Sequence, residues 1–363
     1  MVLIRRKPVW LMMVGLTLAL SACNPFSQAD SMMDEYVERV ARVLDGEARL
    51  SELPDLGRMP RRRDRRLTMP ELDIDILDFL SLYGCQLQYV VGERNSVMGR
   101  VMDPLNSLRY EVRFITAARD CLPHIERKAL KASVQDAIDG KRESLPVAIW
   151  NATWGAEEIE TLFTLSKGHY PVAAESNPAS DLSSDLNRLN RTLDALLAGH
   201  LQSSLDYLGE VHQRWQAEHR GGQLLNSANL LTTRLDDATA ILQSRLEGRP
   251  LCIGGKPNNQ SDVVRNMFFS VYIERIQPYM SDVRRGREAL IRPLWEMASA
   301  QRGVMPESFS TWANRYLALE GAAGEEGAGK EGPSLWQELD RAMAEHTESW
   351  QALLAQCGLR PGA

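Results

Sequence analysis

The stretch "LLNSANLLTTRLDDATAIL" (224–242) decides the fold class. Leu224, Ala228, Leu231, Leu235, Ala238 and Leu242 recur at intervals of four and three, a heptad seam with no alternation of apolar and polar residues. Upstream, Leu182, Leu186, Leu189, Leu193 and Leu196 repeat in the same way. After a shift, Leu201, Leu205, Leu208, His212 and Trp215 resume the stripe. The pattern predicts one helix from Asp181 of about 38 residues, roughly 55 Å long. "RGG" (220–222) is expected to break it, folding the two stripes into a long antiparallel helical hairpin.

The rest of the chain has the same period. Helices are expected over 31–46, through Leu72, Ile76, Phe79, Tyr83 and Leu87 (a helix carrying Cys85), and from Asp103–Pro104 along Leu105, Leu108, Val112 and Ile115, with Arg109 and Arg113 off the apolar face. Further helices are expected over 156–168 with Gly168 as the stop, from Ser261 with Pro278 bending or ending it, and over 281–301 and 306–319. The last helix carries Trp336, Leu339, Met343, His346, Trp350, Leu353 and Cys357. "GAAGEEGAGKEG" (321–332) has linker composition and reads as a mobile loop. No run reads as a strand, so the fold class is all-α. No fixed-period repeat suggests a solenoid.

The N-terminus reads as an address. "MVLIRRK" is a basic leader, "PVWLMMVGLTLAL" a short apolar core, and "LSAC" (20–23) ends it. The context of the paired arginines does not suit a twin-arginine signal. "LSAC" resembles the bacterial lipobox, with Leu20 at −3, Ser21 and Ala22 small, and then Cys23. That resemblance implies cleavage after Ala22, a diacylglyceryl group on the Cys23 thiol and acylation of the new amine. Several acyl chains hold a protein stably where one does not. Residues 1–22 are thus a signal peptide, 23–30 a tether and 31–363 a helical periplasmic domain. A division into lobes 31–175 and 176–363 is left open. Asn24 at +2, where an Asp would favour the inner membrane, points to the periplasmic face of the outer membrane.

Composition narrows the function. The chain has 363 residues, 44% hydrophobic and 25% charged, with formal charge −6. The first 22 residues hold three basic side chains and no acid, so the remainder has 39 basic and 48 acidic residues, net −9. A net negative chain is a poor general nucleic-acid binder. Export to an oxidising compartment makes Cys85, Cys121, Cys252 and Cys357 disulfide candidates. Of three connectivities, the pairs nearest in sequence, 85–121 and 252–357, are favoured. The alternative, metal binding, lacks CxxC spacing or a histidine pair.

Nothing in the sequence specifies a reaction. The GxSxG, HExxH, SxxK, Walker and dinucleotide motifs are absent, and no cofactor is expected. "GGKP" (254–257) reads as a loop. Glu143–Ser144 and Glu175–Ser176 have the dipeptide of lytic transglycosylases without the stretch that follows it there. In "AIWNATWGAEEIE" (148–160), Trp150 and Trp154 with Glu157 suit sugar stacking beside a carboxylate. The competing reading is two core indoles before the acidic first turn of a helix. His346, on an apolar stripe, reads as a satisfied core histidine. His212 and His219 share a helix without further ligands. "PRRRDRR" (60–66) suits anionic headgroups or lipopolysaccharide phosphates, or else is a solvated loop paired with the acidic body.

The stretch "LSLYGCQLQYVVGERNSVMGRVMDPLNSLRYEVRFITAARDCL" (80–122), with its "YGCQLQ", "ERNS" and Asp120–Cys121, resembles an uncharacterised family of gammaproteobacterial lipoproteins, domain of unknown function 3080. The resemblance covers most of the chain after the leader. It implies an envelope lipoprotein without an assigned activity, so it carries no catalytic residue over. Two functions are expected in order: a non-enzymatic protein docking an envelope protein or peptidoglycan partner along the helical hairpin, and a glycan-binding or glycan-cleaving protein using Trp150, Trp154 and Glu157.

Overall fold

The computed structural model describes residues 28–70, 84–95, 101–319 and 332–359. The described residues form helices and no strand. In chain order these are α1 (Gln28–Val43), the single turn α2 (Arg62–Arg65), α3 (Gln86–Asn95), α4 (Pro104–Cys121), α5 (Lys128–Ala152), α6 (Glu158–Leu162), α7 (Ser180–Leu197), α8 (Leu208–Ala217) and α9 (Arg220–Glu247). There follow α10 (Asn259–Met267), α11 (Gln277–Gly286), α12 (Arg292–Ser299), α13 (Glu307–Tyr316) and α14 (Leu335–Ala355).

The heptad seam of 224–242 is the axis of the molecule. All six seam residues are buried, and so are Leu225, Leu230 and Ile241 on other faces of α9. A helix apolar on one stripe lies on a surface, whereas one buried on several sides is a core element. α9 lies against α14 and α1. Its polar residues hold the loops that pass it. Asn226 Nδ2 donates to the Leu165 and Gly168 carbonyls, each at 2.7 Å, and Asn229 Nδ2 to Pro54 O at 2.8 Å. Arg234 donates to Asp34 at 2.6 Å and to Ser51 O at 2.7 Å.

The helical hairpin lies elsewhere than the leucine stripes suggest. The helix expected from Asp181 stops at Leu197, and Gly199 takes φ +83°, a left-handed conformation that ends helices. The chain then folds back. Tyr207 donates to Thr192 Oγ1 at 2.7 Å, with the Arg188 guanidinium 3.7 Å above its ring. The shift between the two stripes marks this break. The next break comes at Glu218, whose backbone is extended, before "RGG" and not at it. The principal antiparallel pair is α4 with α5.

Gly221 and Gly222 lie inside α9 because another backbone crosses there. A Cβ on Gly222 would fall 2.3 Å from Thr164 O and 2.6 Å from Thr164 C. The same close crossing limits α6 to Glu158–Leu162, followed by a short turn before Gly168 at φ +74°. Gly222→Ala is expected to destabilise the protein by about 2 kcal/mol, the clash outweighing the ~1 kcal/mol gained in helix propensity. Gly303→Ala, where nothing lies within 4 Å of the added carbon, is the control. Equal urea midpoints for the two variants would refute the crossing as the reason for the glycine.

Pro278 does not end its helix. The chain stays helical over 259–299, widening to π-type pairing over Phe268–Ile276 and Arg287–Ile291. Each widened turn ends just before a proline, Pro278 or Pro293. A π-turn shifts each N–H to a more distant carbonyl, and a proline's missing donor is tolerated there without a break. The helix expected around Leu72–Tyr83, the loop 321–332 and the leader with Cys23 lie outside the described residues, except that Leu87 belongs to α3 and Gly332 is described.

Candidate functional site

The four cysteines are paired as 85–121 and 252–357, with Cα separations of 5.6 and 5.1 Å. Cys85 sits in the bend before α3, not inside a helix, and its bridge fixes α3 to the end of α4. Cys252 precedes α10, and its bridge holds the end of α14. Both Cys252 and Cys357 are buried.

Trp150 and Trp154 have no exposed surface. Trp150, in the last turn of α5, packs edge-on against the Phe309 ring, 5.1 Å between centroids, and its indole N–H donates to Arg65 O at 2.7 Å. Trp154 lies past the end of α5, 4.8 Å from the same ring. Neither indole presents a face on which a sugar could stack. Glu157 is exposed and pairs with Arg62 at 3.0 Å. The three residues are core and rim of one packing unit, and the glycan reading has no surface there.

Arg65, within the basic run, is fully buried. It donates to Pro60 O at 2.7 Å, to the carbonyls of Trp154 and Ala156, and to Glu160 at 2.9 Å. The sequence pattern concealed this, because one arginine among five looks like its neighbours. The second hidden ion pair is Lys141 with Glu111, 2.8 and 2.9 Å, both side chains buried in the α4–α5 hairpin beneath the Tyr110 and Phe114 rings.

His212, His219 and His346 each bond to the folded interior. His212 Nε2 donates to Ala152 O at 2.8 Å and its ring stacks on Trp215. His219 Nδ1 donates to Thr161 O at 3.1 Å. His346 is fully buried. The Trp350 indole, which can only donate, lies 3.1 Å from His346 Nε2. The same N–H donates to Tyr36 Oη at 2.8 Å, so the Tyr36 hydroxyl turns its own proton to Nε2 at 2.5 Å; Nε2 is the acceptor, and Nδ1 carries the proton toward Thr239 Oγ1 at 2.8 Å. Burial pushes this imidazole down to about 3 from the ordinary 6.5. The unfolded chain therefore takes up a proton first as pH falls, and the native state loses stability from pH 6.5 downward. The expected loss is about 1.4 kcal/mol per pH unit, roughly 2 kcal/mol by pH 5. Urea midpoints measured from pH 7 to pH 5 should show this slope in the native protein and not in His346→Gln. The same slope in both would remove His346 as its source.

A cavity of about 1120 Å³ lies between α3, α4 and the loop 201–206. Arg109 closes one side by donating to Leu205 O at 3.0 Å and Asp206 O at 3.1 Å. Arg113 and Glu93 span it as a two-bonded pair at 2.8 and 3.1 Å. Val90, Met102 and Leu205 supply its apolar lining and Asp120 a carboxylate. A second recess of about 540 Å³ adjoins the Cys85–Cys121 bridge. The sequence showed the two arginines off the apolar face of their helix, but not what they faced. In its lining Ser204 donates to Asp206 Oδ2 at 3.0 Å, and no histidine stands among the described lining residues. Among the described residues no group of three His, Cys, Asp or Glu is placed to hold a metal. Mixed charge over an apolar floor suits recognition of a partner.

Fold and cleft together define an all-helical, twice-crosslinked protein with an open cleft beside α3 and α4. The chain belongs to the family described as "Protein of unknown function (DUF3080)", whose model matches residues 33–361. No curated protein and no solved structure matches it.

Proposed function

We propose that this protein is a lipid-anchored envelope protein, held by Cys23 on the periplasmic face of the outer membrane, that binds a partner without chemistry of its own. The observation that carries the reading is the conjunction of "LSAC" at 20–23 with two closed disulfides in the folded body, since structural disulfides belong to oxidising compartments. The cleft between α3 and α4 is the docking surface in this reading, in place of the hairpin expected over 181–242.

Two measurements test it. Growth with a clickable palmitate analogue should label the protein, with the label on the N-terminal peptide beginning at Cys23 and absent from Cys23→Ala. An unmodified Cys23 in the isolated protein would overturn the anchor. A photo-crosslinking residue replacing the exposed Thr116 in the cleft should give a discrete adduct in intact cells, and the same residue at exposed Ser281 should not. Matching patterns at both positions would overturn the cleft.

A further inference from the structure

The run "PRRRDRR" is held as a structured surface. The buried Arg65 fastens it to the Trp154–Glu160 segment, and its neighbours Arg61, Arg63 and Arg66 are left exposed, as is Arg58 before them. Arg61, Arg62 and Arg63 line a recess of about 460 Å³, together with Thr161, Thr164, Glu157 and Glu160. Glu157 is engaged by Arg62 and Glu160 by Arg65, and Asp64 lies 3.6 Å from Arg63. Arg61 and Arg66 have no ion-pair partner among the described residues. On a chain whose net charge is negative, this end is basic.

Its place in the fold gives the recess a partner. Thr164, in the recess, is the residue whose carbonyl crosses Gly222 of α9. Four residues further along α9, about 6 Å of helix, Asn226 holds Gly168 O. The next residue, His169, meets Asp30 in the first turn of α1 at 3.3 Å. The chain therefore enters the folded body from Cys23 at the end of α9 that carries the arginines. Four residues lie between Cys23 and Gln28, and the five Cα-to-Cα steps reach at most roughly 18 Å. A lipid on Cys23 would hold this end at the bilayer.

We propose that the recess and the exposed arginines around it bind the phosphate headgroups of anionic lipids in the leaflet that holds the anchor, setting the orientation of the body on the membrane. Guanidiniums pair well with phosphate oxygens, and the two threonine hydroxyls are further donors. The short tether allows the charges to come within a screening length of the surface, about 10 Å at 0.1 M salt, where they act strongly. The orientation rests on the anchor proposed above, but the surface is tested without it.

The assay uses the whole chain from residue 23, made without its lipid, in flotation with vesicles of phosphatidylcholine alone or mixed with phosphatidylglycerol at low salt. Binding to the anionic vesicles only is expected. Replacing Arg61, Arg63 and Arg66 together by Gln should lower it on the order of 100-fold. Replacement by Lys should retain most of it. All three side chains are exposed, and an unchanged melting curve for each variant shows that the fold is intact. Equal binding to both vesicle types, or no loss in the Gln variant, would overturn the proposal. So would release by inorganic phosphate beyond that caused by sodium chloride of equal ionic strength, which would assign the recess to free phosphate. Because this chain carries no lipid, such a result bears on the arginines, and the labelling of Cys23 decides the anchor separately.

Discussion

Replacing Cys252 and Cys357 together by serine is expected to lower the free energy of unfolding by about 4–5 kcal/mol. The bridge closes a loop of 105 residues that includes α10 to α14, and restricting so long a loop in the unfolded chain is the main source of a disulfide's stabilisation. Local contacts at the junction remain in the variant. Leu251 N–H donates to Gln356 Oε1 at 2.8 Å, and Asn258 Nδ2 to Leu251 O at 2.8 Å. They do not restrict the unfolded state, so they do not replace the bridge. A domain has about 5–15 kcal/mol in all, so the loss takes a large share. The Cys85–Cys121 bridge, separated by 36 residues, should contribute about 1 kcal/mol less, because the entropy of closure grows with the logarithm of loop length. Urea unfolding of the oxidised protein and the two double variants checks both values. A change below ~1 kcal/mol for Cys252→Ser/Cys357→Ser would refute the first.

Arg65→Met is expected to cost about 3–4 kcal/mol, while Arg62→Ala three residues away costs less than about 1 kcal/mol. Arg65 is sealed from water and supplies donors to three carbonyls and Glu160. Removing it leaves buried acceptors unpaired, a penalty larger than the net value of the bonds themselves. Burial lowers the affinity of this guanidinium for its proton, yet an arginine stays charged at any pH the fold survives. Arg62 makes its pair with Glu157 in solvent, where the attraction is screened. Comparable melting temperatures for the two variants would show that burial of Arg65 does not hold the loop. A melt of Arg65→Met should also expose Trp150, whose indole donates to the Arg65 carbonyl, through a red-shifted emission.

These two predictions divide along what could be read without coordinates. The cysteine pairs nearest in sequence are the expected ones, and both bridges are as expected. His346 reads as a core residue from its stripe, and its three ring contacts are internal. The difference between Arg65 and Arg62 leaves no trace in "PRRRDRR". It depends on which side chain the Trp154–Glu160 segment covers, a contact made across about 90 residues of chain. The same limit explains the tryptophans. Spacing placed Trp150 and Trp154 near each other, but Phe309, far along the chain, decides that they are core. The cleft belongs to this second group, since Arg109 and Arg113 acquire their roles only when Leu205, Asp206 and Glu93 arrive beside α4.

By itself the sequence determined that the body is helical, which stripes are apolar and which cysteines are within reach of each other. Those properties arise from local periodicity and chain distance, and they survive any arrangement of the helices. Only the tertiary structure decided that 224–242 is a central helix and not one arm of a hairpin. A heptad seam states that a face will be buried and not what buries it. Here α1 and α14 cover the seam, and the glycines that looked like a turn serve a backbone crossing at Thr164. The choice among partners is made by packing between residues distant in sequence, where shape complementarity outweighs any local signal.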